Sequence, residues 1–366
     1  VNRDYLLSPV RCVIGRGSSL DAGELVGRIA RRALVLGGRR GLSAADGALS
    51  SLRRRLESVR VLPFSGECTE EAIGKAIEEA GGSGVIVGIG GGKAIDTAKA
   101  AADVLGIPCV TVPTSAATCA AYTPLAIIHT PSGAYEESRR LSQPVRVMII
   151  DPDLIITAPP RLLRSGIVDA LARSFDTLLA ARNGVPAVTA SLSLAVSRIL
   201  LDDVLFPLGE EAISDNLNGD VTDPYSRVVE ACILGAGLAG ETGGRFFGRS
   251  FSHAVGYALS HIVDPDAVLH GEAVGLGVLV QSALDPDTPV SLEGMLDRYK
   301  RWGLPRSFSA LGIFDLRGEK GIDLAGRALR YLDRERAVPF PVTEEELHRA
   351  MIRIEAIAAD QAQNGS

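Results

Sequence analysis

The first 150 or so residues alternate short, continuously apolar β-rich runs with helical stretches, and this alternation constrains the fold more than any other feature of the chain. Strands are expected at ALVLGG (33–38), VRVLPF (59–64), GVIVGIGG (84–91), CVTVPT (109–114) and VRVMIID (145–151). Between them, SLRRRLESV and TEEAIGKAIEEAGG carry helical periodicity and strong helix formers. Strands that are apolar throughout, and separated by helices, belong in a parallel sheet covered on both faces. The segment LAIIHTPSGAYEES is expected to form a hairpin arm, because Pro-Ser-Gly supplies a turn after a β-rich run.

The pattern changes at ITAPPRLLRSGIVDALARSFDTLLAARNG. Two prolines can open a helix there, and the Leu/Ile/Ala spacing continues it. Beyond this point the periodic segments read as helix, at 186–203, 223–240, 247–262, 270–283, 292–301 and 343–359. A chain of 366 residues exceeds the usual size of one core. Two domains are therefore expected, an α/β domain over 1–158 and a helical domain over 159–366, with the cleft between them the natural place for a ligand.

Charge and composition exclude several roles. The formal charge of −6 does not suit a nucleic-acid binder, which carries a basic face. No apolar run approaches the roughly 20 residues that span a bilayer. The opening VNRDYLLSPVRC has no basic segment followed by an apolar stretch, so no signal peptide is expected. Five scattered cysteines without a C-x-x-C pair suit a reducing compartment. A cytoplasmic protein with a small-molecule partner is the expectation.

Two sets of residues carry chemistry. In GIGGGKAIDTAKA (88–100) a glycine-rich turn follows a strand and opens a helix. Such a turn lets backbone N–H groups approach a phosphate closely. It matches neither the G-x-G-x-x-G fingerprint nor the Walker pattern, and a bare tight turn is the alternative. Lys93, Asp96 and Lys99 add polar groups there, Lys99 being equally readable as part of a solvated face. The second set draws on the five histidines. His253 lies in SFSHAVGYALSHI and His270 opens LHGEAVGLGVLVQ, while Asp169 interrupts an otherwise apolar helix face in SGIVDALAR. Two imidazoles and a carboxylate are a usual metal-ligand set, but spacing alone does not join Asp169 to the histidines.

Taken together and in order, GIGGGKAIDTAKA, VPTSAAT (112–118), APPRLLRSGIVDALA (158–172), SHAVG and LHGEAVGLGVLVQ resemble the glycerol dehydrogenase branch of the iron-containing alcohol dehydrogenase superfamily. The resemblance runs from about residue 10 to residue 285 and is loose beyond. It implies a Rossmann-like nucleotide domain with a parallel sheet followed by an all-α, metal-binding domain (a dehydroquinate synthase-like fold), with the active site between them. It implies Asp169, His253 and His270 as three ligands of one divalent metal, and hydride transfer between an alcohol and a nicotinamide. It places Gly90, Gly91, Gly92 and Lys93 at the pyrophosphate, and Asp96, Thr114 and Thr118 along the cofactor cleft. Similar proteins are homo-oligomers.

Several positions depart from the family pattern. Iron-type relatives have a further His ligand where this chain has Arg173, and another His where it has Tyr257, so Zn2+ is favoured over Fe2+. Relatives that use NAD place an Asp after the first nucleotide-domain strand; here Gly38 stands there, followed by Arg39 and Arg40. That favours NADP(H), with NAD(H) the alternative and two solvated loop arginines the bland reading. Glycerol dehydrogenases carry an Asp where this chain has Cys119, with Tyr122 and His129 in the same stretch shaping the pocket, so glycerol is not the expected substrate. Arg173 is expected to pair with Asp169 or another acid in preference to binding an anionic substrate, and Arg245 and Arg249 are treated alike. The alternatives are a glycerol-1-phosphate dehydrogenase-like enzyme, a dehydroquinate-synthase-like cyclase, and a non-catalytic nucleotide-binding protein.

Overall fold

The computed structural model describes residues 8–364 apart from 244–246, 248, 249 and 336. The expected Arg245 and Arg249 therefore lie outside the described residues. By internal packing the chain divides into two compact units. One runs to Leu163 and takes up Ser214–Gly237; the other comprises Arg164–Ile213 and the chain from Leu238 onward. The helical stretch Ser214–Gly237 thus packs with the sheet-bearing unit although it lies well past residue 158.

Among the described residues the first unit holds eight strands: β1 (Cys12–Ile14), β2 (Arg32–Gly38), β3 (Ser58–Phe64), β4 (Val85–Gly90), β5 (Cys109–Pro113), β6 (Leu125–His129), β7 (Tyr135–Arg140) and β8 (Val147–Ile150). Six of them form one sheet in the order β1-β8-β5-β4-β2-β3, every pair parallel. The all-parallel sheet expected from the apolar runs is present, and its side chains divide between two faces. Ala33, Val35, Val85, Val87, Ile89, Val110 and Val112 pack with the helices Ala22–Gly27 and Asp46–Arg55. Leu34, Leu36 and Ile86 pack on the opposite side with the helices Glu70–Glu79 and Gly92–Leu105. With both faces covered, β2, β4, β5 and β8 gain nothing from polar alternation, which is why they read as apolar runs, while the edge strand β3 alternates exposed and half-buried residues.

From β2 the chain proceeds to β3 on one side and then returns to place β4 on the other side of β2. That reversal makes a switch point at the carboxyl ends of β2 and β4, the place where open α/β sheets bind ligands. The hairpin arm is also present: β6 and β7 pair antiparallel, and Thr130 closes their turn by accepting the Gly133 N–H at 2.9 Å.

The structure departs from expectation in detail. Strand β1 is three residues long and largely exposed, too short to show a period. The run SLRRRLESV is split, its helix ending at Arg55 and β3 beginning at Ser58, because the β-branched Val59 and Val61 belong to the sheet. Beyond residue 158 the described residues are helical between turns, as expected, with π-helical turns at Leu200–Leu205 and Ala231–Gly235. Helices Phe206–Asn218 and Glu319–Glu335 go beyond the expected set; Pro207 and Gly209 mask the first, and Gly321 and Gly326 the second. Among the described residues no helix is long and apolar enough to cross a membrane.

Candidate active site

At the switch point, β4 ends in Gly90 with φ 156°, a conformation that L side chains rarely adopt. Gly91 caps the helix Gly92–Leu105, and no side-chain cap bonds to its opening N–H groups among the described residues. The N–H groups of that turn are thus available to an anion, reinforced by the helix dipole. Thr114 and Thr118 stand beside the turn. The Thr114 N–H bonds to Gly90 O at 3.0 Å, and a Cβ on Gly92 would lie 3.0 Å from Thr118 Oγ1. Gly38 ends β2, and Arg39 and Arg40 follow in a short helix (Arg39–Ala44) in place of the expected loop; both are exposed, with no ion-pair partner among the described residues.

Other residues expected at this site have different occupations. Lys93 pairs with Glu67, which turns it away from a free phosphate-binding role. The other Glu67 oxygen faces His129 Nδ1 at 3.9 Å, so His129 belongs to this cluster. Asp96 is buried and pairs with Lys99 at 2.8 Å while accepting the Ile127 N–H at 3.1 Å. Lys99 is buried too, against the reading of a solvated face: its ammonium donates to the carbonyls of Ala120 at 2.7 Å, Thr123 at 2.9 Å and Leu125. These two residues anchor the segment leading into the hairpin. The Tyr122 ring is buried against Gly237, where an added Cβ would approach it to 2.5 Å, so it packs where a pocket wall was expected. Cys119 is half-buried and in no disulfide.

The second unit brings the remaining chemistry together. Asp169 projects from the helix Pro160–Ala180, His253 from Phe251–Ser260, and His270 is the first residue of His270–Leu284. Each offers one ligand atom, and these atoms all lie within 4.8 Å of one another. His270 Nε2 stands 3.4 Å from Asp169 Oδ1. The helices meet almost backbone to backbone. A Cβ on Gly271 would lie 1.9 Å from Ser165 O, and one on Gly277 would lie 2.5 Å from Ser252 O. Only glycine permits these approaches, and Ser165 Oγ accepts the Gly271 N–H at 3.1 Å, satisfying a donor that the helix start would leave open.

Behind the cluster lies a residue the sequence reading missed. Asp176 Oδ2 accepts from His253 Nδ1 at 2.6 Å, and its Oδ1 accepts from Ser250 Oγ at 2.5 Å and from the Ser252 N–H at 3.3 Å. With Nδ1 carrying the proton, Nε2 presents its lone pair to the cluster, which is the tautomer a metal requires. The signal was visible in the sequence: Asp169 and Asp176 are seven residues apart, two helical turns on one face. Burial alone would raise both carboxyls. For Asp169 it is outweighed by His270, His253 and Arg173, and for Asp176 by His253, Ser250 and Arg173, so both sit below the ordinary carboxylate range. Burial and the nearby Arg173 push His253 down to about 4, against the opposing pull of Asp176. The donor set fits a divalent cation: one ionised carboxylate and two imidazoles converge, with an oriented tautomer.

Arg173 makes no ion pair with a carboxylate among the described residues, contrary to the expected pairing. Its Nη2 instead lies 3.4 Å from His253 Nε2. The helical turn puts it on the same face as Asp169, but its long side chain carries the guanidinium past that carboxylate towards the imidazole. Tyr257, one turn after His253, is buried with its ring 6.1 Å from that imidazole.

Residues 9–152 match the model of the iron-containing alcohol dehydrogenase family. Hydroxycarboxylate dehydrogenase A of Escherichia coli is 33% identical over 90% of this chain and 90% of its own. The chain belongs to the iron-containing alcohol dehydrogenase family. Within it, this alcohol dehydrogenase falls in the glycerol dehydrogenase-like branch: an Escherichia coli glycerol dehydrogenase is 33% identical over 84% of each chain. The crystal structure of glycerol dehydrogenase from Schizosaccharomyces pombe superposes with a TM-score of 0.88 at 27% identity, covering 100% of this chain and 94% of that one. The protein is thus a metal-dependent alcohol or polyol dehydrogenase using a divalent metal and a nicotinamide cofactor. The cyclase and non-catalytic readings fall away.

Proposed function

We propose that this dehydrogenase oxidises an alcohol other than glycerol, and reduces the corresponding carbonyl in reverse, with Asp169, His253 and His270 holding Zn2+ in preference to Fe2+ and the nucleotide unit taking NADP(H) in preference to NAD(H). The convergence of those three ligand atoms, with Asp176 behind His253, carries the reading. A divalent ion there supplies Lewis acidity that makes an alcohol hydroxyl easier to deprotonate. The chain's own residues do the rest. Asp176 keeps the proton on His253 Nδ1, and the buried helix contacts hold the ligand positions fixed. The Gly90–Gly92 turn offers its N–H groups to the pyrophosphate, with the Thr114 and Thr118 hydroxyls alongside.

The preference for NADP(H) is supported by Arg39 and Arg40, exposed just after β2 where no carboxylate stands to repel a 2′-phosphate. Zinc is supported by a set of two imidazoles and one carboxylate with Arg173 in place of a further ligand. Cys119 in place of an acidic residue speaks against a triol, whose hydroxyls need paired polar partners.

A spectrophotometric screen of metal-reconstituted protein against diols, polyols, phosphorylated polyols and their carbonyl forms, with both nicotinamides, tests this. Turnover with NADP(H) exceeding that with NAD(H) is expected, and Arg39→Ala with Arg40→Ala should lower NADP(H) efficiency about 10- to 100-fold, each lost charge-assisted contact weighing about tenfold or more. Glycerol as the best substrate, or an unchanged NADP(H)/NAD(H) ratio in the double variant, overturns the corresponding part.

A further inference from the structure

Arg173 lies at the ligand cluster yet neither supplies a ligand atom nor orients one. It extends from the helix that carries Asp169 and Asp176, half-buried, with Nη2 at 3.4 Å from His253 Nε2. No carboxylate among the described residues pairs with it. Because His253 Nδ1 carries the proton and donates it in a hydrogen bond to Asp176, Nε2 has a single lone pair. That lone pair can serve a guanidinium N–H or a cation, not both. With a cation on Nε2, the Arg173 donors need another acceptor within reach of the same atom.

Charge points the same way. A divalent ion and Arg173 contribute three positive charges, and Asp169 and Asp176 offset two; imidazoles acting as ligands are neutral. The loaded cluster is therefore left with one positive charge in a mostly buried setting, where an unbalanced charge is costly. A neutral polyol balances it only once its hydroxyl has lost a proton. A carboxylate balances it as it binds, and the planar guanidinium fork matches a carboxylate edge with two parallel hydrogen bonds. Gly240 stands beside the guanidinium, an added Cβ there lying in ordinary contact at 3.5 Å from Arg173 Nε.

We infer that Arg173 binds the carboxylate of the substrate, and that the enzyme acts on 2-hydroxy acids and the matching 2-oxo acids. Because Nη2 lies 3.4 Å from the ligand nitrogen, a carboxylate close to the hydroxyl-bearing carbon suits the pair, and a 2-hydroxy acid has that spacing. In the oxidation, C2 loses a hydride to the nicotinamide ring and the hydroxyl loses its proton to solvent, while the carboxylate is unchanged. The inference rests on the dehydrogenase reading above and narrows its substrate.

Lactate and propane-1,2-diol share a three-carbon skeleton and differ at the group Arg173 would meet. Steady-state kinetics of the metal-loaded enzyme with each, for the wild type, Arg173→Gln and Arg173→Lys, give the ratio of their kcat/KM values. Calorimetric titration with lactate, without nicotinamide, gives a binding constant independent of turnover, and metal content is measured on every sample. The wild type should prefer lactate. Arg173→Gln should lower the lactate-to-diol ratio about 10- to 100-fold, chiefly through KM, and weaken lactate binding by a similar factor, with Arg173→Lys between the two. If the enzyme oxidises the diol but shows no preference for lactate, or if Arg173→Gln lowers both substrates equally, the inference fails and the dehydrogenase reading stands. If metal-loaded protein oxidises no alcohol with either nicotinamide, both fail.

Discussion

Asp176→Asn keeps the shape of a buried side chain and removes its charge, which isolates what that carboxylate does for His253. In the native arrangement one oxygen accepts from His253 Nδ1 at 2.6 Å and the other from Ser250 Oγ and the Ser252 N–H. An amide cannot accept on both sides. If its oxygen faces Ser252, its NH2 faces Nδ1, and the imidazole must move its proton to Nε2, the atom meant for the metal. If its oxygen faces His253, its NH2 opposes the Ser252 N–H, and a buried donor loses its acceptor. Either orientation costs the site, and loss of such an outer partner lowers metal affinity about 10- to 100-fold, or about 1.4–2.7 kcal/mol. Competition against a zinc-sensitive chelating dye reads this directly, with circular dichroism to confirm that the variant is folded. A zinc affinity within about twofold of the wild type in a folded Asp176→Asn protein would refute the idea that this carboxylate prepares the ligand.

Lys99→Met should destabilise the protein by about 3–5 kcal/mol in urea denaturation, because it leaves Asp96 buried without its cation and three carbonyls without their donor; a loss below about 1 kcal/mol would contradict the buried anchor. Acid sensitivity of the metal-free protein follows from His253, which titrates at about 4 when folded and at about 6.5 when unfolded. Since the folded value is the lower, the unfolded chain takes the proton first, so this residue makes stability fall as pH drops from about 6.5 towards 4, by up to about 3 kcal/mol. Denaturation curves across that range should show the slope in the wild type and a shallower one in His253→Gln; equal slopes would count against it.

Much of the architecture was legible because the physics that builds it is local. Apolar runs rich in β-branched residues mark the inside of a covered sheet, so β2, β4, β5 and β8 stand out, the edge strand β3 shows as an alternating run, and Cys12–Ile14 takes its pairing wholly from β8. The Gly90–Gly92 turn is readable for the same reason. The candidate ligand cluster is different. Asp169 lies more than eighty residues before His253, and no periodicity in either segment reveals that they meet; the family resemblance joined them. What a side chain touches was the least legible. Lys93, Asp96 and Lys99 look alike as polar residues near a turn, yet one pairs at the surface and two are buried with each other. Arg173 looks like a partner for Asp169 by spacing, and only the direction of its long side chain decides otherwise.

The glycine contacts at Gly271 and Gly277 bear on how the protein acquires its ion. Helices seated that closely cannot slide or rotate without collision, so the coordinating atoms are arrayed by the polypeptide before any cation arrives. Little of the binding energy then goes into ordering the chain, in contrast to small zinc domains that fold only around their ion. A receptacle held this way is expected to keep its shape whether or not the proposed ion is bound.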